Sequence, residues 1–225
     1  MNALTLLDLA GVAVFAATGA LAASRRQLDM IGFLFFAVVT GIGGGTLRDL
    51  ILGQAPVFWV RDPSYILTCA AIAVVVYFTA HLVESRYRWL LWLDAVGLAA
   101  YGVMGAAKGL AATGSATIAI VTGVLTATFG GVARDTLAGE PSVLMRPEIY
   151  VTAAMAGAAV FTALGLSGAP VWLSAGCGFT TALAVRGGAL IFGWRIPGYR
   201  PRPGRSEAEL KREGVLRDDS GSDER

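Results

Sequence analysis

The stretch Thr40-Gly41-Ile42-Gly43-Gly44-Gly45-Thr46-Leu47-Arg48-Asp49 and the stretch Thr126-Ala127-Thr128-Phe129-Gly130-Gly131-Val132-Ala133-Arg134-Asp135 are one passage written twice, 86 residues apart. The threonine, the Gly-Gly pair and the Arg-Asp pair recur at the same spacing. Working outward at the same offset, Leu7-Asp8 matches Leu93-Asp94, Gly11 matches Gly97, Phe15 matches Tyr101, Gly19-Ala20 matches Gly105-Ala106, and Gly53 matches Gly139. After one deletion, Tyr65 matches Tyr150. So many identities at a single offset mark an internal duplication.

The surroundings of the two passages are apolar. Hydrophobic residues make up 55% of the 225, charged residues 15%, and mean hydropathy is +0.63. The charges are also unevenly spread. Residues 195–225 hold eight Lys/Arg and seven Asp/Glu, out of 18 and 16 in the whole chain. The first 194 residues are therefore almost uncharged, which excludes a disordered chain, a nucleic-acid binder with a basic face and a disulfide scaffold. Seven runs are long enough to cross a bilayer, which takes about 20 residues each. They are 4–23, 30–52, 64–83, 89–107, 114–139, 149–167 and 170–192. Their continuity excludes strands, which alternate with period two. The prediction is an all-α integral membrane protein. Residues 1–84 form a first three-helix repeat, 85–168 a second, 169–194 a seventh span, and 195–225 a polar, disordered cytoplasmic tail.

Ala20-Leu21-Ala22 resembles a signal-peptidase site, but no Lys or Arg precedes the first run and Asp8 interrupts it, so the run is read as a retained span. Lys/Arg counts orient the chain. An external N-terminus puts Arg25, Arg26, Arg86, Arg88, Arg146 and the tail inside, leaving Arg61 and Lys108 outside. Trp59, Trp89, Trp92, Trp172 and Trp194 fall near span ends, where aromatic belts belong. Three spans per repeat is an odd number, so the second copy is inverted relative to the first, the architecture that transporters build around a midplane site.

The 29 glycines serve either of two purposes in such a protein. They kink or unwind a helix, at about 1 kcal/mol each relative to Ala, or they let two helices approach closely. The charges after them favour a polar pathway, because an intramembrane charge costs on the order of 2.5–3.5 kcal/mol on insertion scales. Arg48 and Asp49 are sequence neighbours, as are Arg134 and Asp135, and i,i+1 residues point apart on a helix. Matched depth therefore predicts the pairs Asp8–Arg48 and Asp94–Arg134, one near each mouth, either as part of the pathway or as structural clamps. Lys108 and Arg186 read as snorkelling helix-end residues, Lys108 being the better pore candidate. Thr40, Thr46, Thr126 and Thr128 supply hydroxyls for an ion's coordination shell. Cys69 and Cys177 lie in apolar runs and read as free buried thiols, and a single histidine, His81, gives no basis for a metal site or triad. No phosphate loop, zinc-protease or nucleophile-elbow motif occurs, so neither an enzyme nor a cofactor is expected. Glu207–Arg217 reads as a short helix with Glu-to-Lys/Arg pairs.

The paired GGG-x-x-RD and GG-x-x-RD motifs, each followed by a Gly and a Pro-containing loop (Gly53 to Pro56, Gly139 to Pro141), resemble the prokaryotic trimeric intracellular cation channels. That family overlaps bacterial membrane proteins labelled as glycine transporters. The resemblance covers residues 4–192. It implies seven spans in two inverted repeats, an external N-terminus and a homotrimer in the cell membrane held largely through spans one and four. It also implies one pathway per protomer for potassium and other monovalent cations, framed by kinked second and fifth spans. The motif positions carried over are Gly43, Gly44, Gly45, Arg48, Asp49, Gly130, Gly131, Arg134 and Asp135. Phe129 departs from the pattern, standing where Gly43 stands. The Lys-Glu-Val lipid motif of animal members is missing, so lipid regulation is not carried over, and membrane lipid is expected only as surroundings. Two further readings stay open: a small-solute, glycine-like transporter using helix N-termini for a carboxylate, and an assembly subunit without a pathway.

Overall fold

The computed structural model of the chain describes residues 3–83, 85–145, 148–197 and 204–214. Its helices, in chain order, are α1 (Ala3–Arg25), α2 (Met30–Ile51), α3 (Phe58–Arg61), α4 (Ser64–Thr79, continued by a 3-10 turn Ala80–Leu82), α5 (Arg86–Thr113), α6 (Ala116–Leu137), α7 (Val151–Leu166), α8 (Val171–Phe192) and α9 (Glu207–Arg212). A 3-10 turn Val143–Met145 lies between α6 and α7. All seven expected ranges are helical, α9 falls within the short helix expected over Glu207–Arg217, and α3 is a short addition. Five of the helices are long and apolar enough to cross a membrane: Met30–Ile51, Ser64–Leu82, Arg86–Thr113, Ala116–Leu137 and Val171–Phe192. Val151–Leu166 is a shorter apolar helix. Arg146 and Arg217 lie outside the described residues, as does the tail beyond Gly214.

The duplicated sequence folds into duplicated local structure. Asp29 caps the start of α2, its side chain accepting from Gly32 N at 2.8 Å, and Ser115, its equivalent, caps α6 by accepting from Ile118 N at 3.4 Å. Both helices end alike. Gly53 and Gly139 take left-handed φ values of 65° and 63°, which a side chain would oppose. Just beyond them, Gln54 N donates to Asp49 O at 2.8 Å and Glu140 N donates to Asp135 O at 2.9 Å.

Packing follows the same equivalence. α1 packs on α2 as α5 packs on α6, while α4 lies on α1 and α2 as α7 lies on α5 and α6. α1 also meets α5, and α2 meets α6, each helix facing its own counterpart. The contacts there are reciprocal. The Phe15 and Tyr101 rings, equivalent residues, pack on each other at 5.1 Å, and each covers the other copy's glycine, Tyr101 over Gly11 and Phe15 over Gly97. At the α2–α6 crossing a Cβ added to Gly44 would overlap the Thr126 carbonyl oxygen, and one added to Gly130 would stand 2.5 Å from the Thr40 carbonyl oxygen. Contacts of i with j matched by j with i are what a two-fold rotation produces. α8 breaks the equivalence: it packs on α5 and α7, with no counterpart in the first copy.

At the α2–α6 crossing the Gly clusters do the second of their two expected jobs. α2 and α6 run unbroken through them, so the local unwinding expected of the clusters does not occur. The missing side chains instead let the two backbones touch.

Candidate functional site

Among the described residues, seven charged side chains are buried between these helices: Asp8, Arg48, Asp49, Asp94, Arg134, Asp135 and Arg186. They sort into two clusters, one at the Asp8 end and one at the Asp94 end.

At the Asp94 end the expected pair forms. Arg134 Nη1 donates to Asp94 Oδ1 at 2.7 Å and to Thr18 Oγ1 at 3.1 Å. Arg134 Nε also donates to Asp135 Oδ1 at 2.9 Å. The second oxygen of Asp135 accepts from Val143 N at 3.1 Å, fixing the start of the turn that follows α6. Arg134 is 1% exposed, so its charge is held by two carboxylates rather than by water.

At the Asp8 end the expected pair does not form. Arg48 donates through Nε and Nη2 to Asp49 Oδ1, at 2.8 and 2.7 Å, and Asp8 pairs with Lys108 Nζ at 3.2 Å. Tyr65 adds its hydroxyl to Asp8 Oδ2 at 3.3 Å. Two physical facts account for this correction. Neighbouring side chains diverge at Cβ, but the arginine stem is long enough to fold back to the next carboxylate, and both Arg48 and Arg134 do so. Lys108 then competes for Asp8. It lies late in α5, and its counterpart in the first copy is Ala22, so only the Asp8 end has this extra cation. As at the other end, the second carboxylate oxygen holds backbone: Asp49 Oδ2 accepts from Phe58 N at 2.8 Å.

Arg186 overturns a second expectation. It does not snorkel. It is 0% exposed, with Nη1 3.0 Å from Glu148 Oε2 and 3.1 Å from the Ile149 carbonyl, and its guanidinium lies 5.2 Å from the Tyr150 ring centre. Glu148 also bridges to Arg195 through the backbone, tying the end of α8 to the start of α7. Sequence reading missed Arg186, Phe58 and Tyr150 as members of the clusters. The Tyr65–Tyr150 match of the repeat was the available signal for the last.

The four threonines divide. Thr40 and Thr126 are fully buried, their hydroxyls against Gly19 and Gly105 of the neighbouring helix. Thr126 and Thr128 donate to Thr122 O and Val124 O at 2.6 and 2.9 Å, and Thr46 to Ile42 O at 2.8 Å. A hydroxyl that donates to its own helix keeps oxygen lone pairs for a cation or a donor, and Thr46 uses one to accept from Trp59 Nε1 at 3.0 Å. Gly43 is the roomy member of its cluster, with nothing nearer to an added Cβ than Phe129 Cδ1 at 3.8 Å. Gly45 lies under the Phe58 ring and Gly131 beside Tyr150 Oη. Ten buried side-chain polar atoms among the described residues have no hydrogen-bond partner, and they include Asp8 Oδ1, Arg48 Nη1, Thr40 Oγ1, Asp94 Oδ2 and Tyr150 Oη. Buried polar groups are ordinarily hydrogen-bonded, to protein or to ordered water.

The family model described as glycine transporter matches residues 5–81 and 91–165, the two repeats in turn. The chain belongs to this family. A relative from Vibrio cholerae, a UPF0126 membrane protein, is 39% identical over 207 residues, covering 87% of this chain and 82% of the relative. The UPF0126 inner membrane protein YadS of Escherichia coli is 36% identical, with 86% and 94% covered. Among solved structures, the trimeric intracellular cation (TRIC) channel orthologue from Rhodobacter sphaeroides superposes with a TM-score of 0.84 at 51% identity, covering 86% of this chain and all of that one. This family member is thus a multi-pass helical membrane protein with the fold of TRIC channels.

Proposed function

We propose that the protein is a channel for potassium and other monovalent cations, working as a homotrimer with one pathway inside each protomer. The observation that carries this reading is the pair of equivalent charged clusters, Asp8/Arg48/Asp49/Lys108 and Asp94/Arg134/Asp135, at opposite ends of one four-helix core made by α1, α2, α5 and α6. The 51% identity to a TRIC cation channel orthologue supports it. In this reading all seven expected ranges span the inner membrane. The two three-helix repeats (1–84 and 85–168) are inverted about an axis in the membrane plane, α8 is an addition, the N-terminus is external and the C-terminus cytoplasmic. The pathway is framed by α2 and α6, the second and fifth spans, with a bend at their Gly clusters that keeps helical hydrogen bonding. Spans one and four, α1 and α5, are largely buried within the protomer, so the trimer contact falls to the more exposed faces of the other helices.

The chemistry assigned to each group follows from its setting. Arg48 and Arg134, each neutralised by an adjacent carboxylate, do not repel cations as free guanidinium groups would, so they fix the geometry of the two mouths. Asp8 and Asp94 set a negative field at the mouths. The lysine at one end, 29% exposed, is the more movable of the cations. Thr46 and Thr128 offer hydroxyl oxygens on the helix faces next to the clusters, and Thr40 and Thr126 hold the crossing together.

A glycine-like solute transporter is the second reading, favoured by the description of the family model. Purified protein in liposomes with an outward potassium gradient separates the two. Potassium flux driven by the membrane potential and insensitive to glycine supports the channel. Saturable glycine exchange without net charge movement supports the transporter.

A further inference from the structure

We propose that Phe58 is the plug of the Asp8 end: its ring, gripped by the cations of that mouth, closes the pathway on one side only. The inference rests on the cation-channel reading above. Phe58 sits at the start of the short helix α3, in the loop between α2 and α4, and is 8% exposed. The guanidinium carbon of Arg48 lies 5.5 Å from its ring centre and Lys108 Nζ lies 5.6 Å from it, both within cation–π range of one ring. The Tyr65 ring meets it edge-on at 4.8 Å. Below, the ring covers Gly45 so closely that an added Cβ would stand 2.6 Å from Phe58 Cε1. The backbone is pinned as well, because Phe58 N donates to Asp49 Oδ2. Each of these attachments is to a member of the charged cluster, to the tyrosine that serves it or to the Gly motif.

The other end shows what the mouth looks like without a plug. Val143 is the counterpart of Phe58 in position, since its N–H meets Asp135 Oδ2 as that of Phe58 meets Asp49 Oδ2. Gly131, the counterpart of Gly45, faces Tyr150 Oη at 2.7 Å, Asp94 Oδ1 at 3.3 Å and Arg134 Nη2 at 3.6 Å from the place of an added Cβ. Where one copy presses an aromatic ring on its glycine, the other presents three polar atoms. An apolar ring in a narrow mouth closes it by excluding water, and an ion cannot follow where water does not go. Two cations over the ring hold it in place. When Lys108 swings from Asp8 into water, the ring loses one of the two.

The test compares potassium flux into liposomes for the wild type, Phe58→Ala, Phe58→Leu and Phe58→Trp, with reconstitution yield and thermal melting checked for each. Phe58→Ala removes the ring, and flux rises about tenfold or more, the weight of two largely buried cation–π interactions removed from the closed state. Phe58→Leu keeps apolar bulk without a π face and gives an intermediate rise, which also serves if the alanine variant fails to fold. Phe58→Trp keeps a π face and stays near wild type. Wild-type flux with no increase in either Phe58→Ala or Phe58→Leu overturns the plug while leaving the channel standing. No potassium flux from any of the four overturns both.

Discussion

Alanine at Gly44 is expected to damage the protein while alanine at Gly43, one residue away, is not. At Gly44 the added Cβ would overlap the Thr126 carbonyl oxygen, and at the equivalent Gly130 it would stand 2.5 Å from the Thr40 carbonyl oxygen. Both obstacles are backbone, so neither yields by a rotamer change. Restoring ordinary contact at Gly130 means parting α2 and α6 by about 1 Å, which opens a crossing where the two backbones touch. Overpacking of this kind costs about 1–3 kcal/mol, and the gain in helix propensity returns about 1 kcal/mol. The net loss is up to about 2 kcal/mol, with the upper end expected against unyielding backbone, or a fall in Tm of up to about 6 °C for a chain of this size. At Gly43 the nearest atoms are 3.8 and 4.0 Å away, so only the propensity gain remains and Tm rises by up to about 3 °C. Thermal melting of the purified protein in detergent reads both shifts. The double variant Gly44→Ala/Gly130→Ala is expected to lose less than the sum of its parts, since the first substitution has already separated the backbones. Equal melting of the Gly43 and Gly44 variants would refute the close-crossing argument.

The other predictions concern the charges. Arg134→Met leaves Asp94 and Asp135 facing each other in a buried site and is expected to cost about 3–5 kcal/mol, seen as a lowered Tm, with part recovered by adding Asp94→Leu. Arg186→Met orphans Glu148 and the Ile149 carbonyl and is expected to lower Tm well beyond Arg25→Ala, whose partly exposed pair with Glu140 at 2.9 Å is worth about 1 kcal/mol or less. Lys108→Met leaves the buried Asp8 with the Tyr65 hydroxyl but without its cation, so it is expected to lower Tm, by less than Arg134→Met because the lysine itself is partly exposed, while increasing potassium flux by loosening the grip on Phe58.

The helices and their duplication were legible because both are properties of runs. Apolar stretches of membrane length fall at all seven ranges, and a fixed offset pairs Asp29 with Ser115 and Gly53 with Gly139, so caps and turns repeat with the sequence. Asp94–Arg134 was legible from matched depth. Asp8–Arg48 failed by the same logic, because depth places two residues at one level without saying what else arrives there. Lys108 comes from the other repeat, and Arg186 from a helix outside both. A lone arginine near a span end looks like a snorkelling residue until the loop before α7 folds over it. Phe58 was invisible for a related reason: in the sequence it is one aromatic among several near span ends. Only the fold brings it under two cations. The glycines were ambiguous because a missing side chain permits either a break or a contact, and the partner helix decides which.

Current through the purified protein in a planar bilayer under asymmetric KCl tests the channel reading most directly. A cation pathway in each protomer predicts unitary currents whose reversal potential follows the potassium gradient, unaffected by glycine and altered by substitution of Asp8 or Asp94. Saturable glycine exchange in liposomes from a protein that passes no current would contradict it.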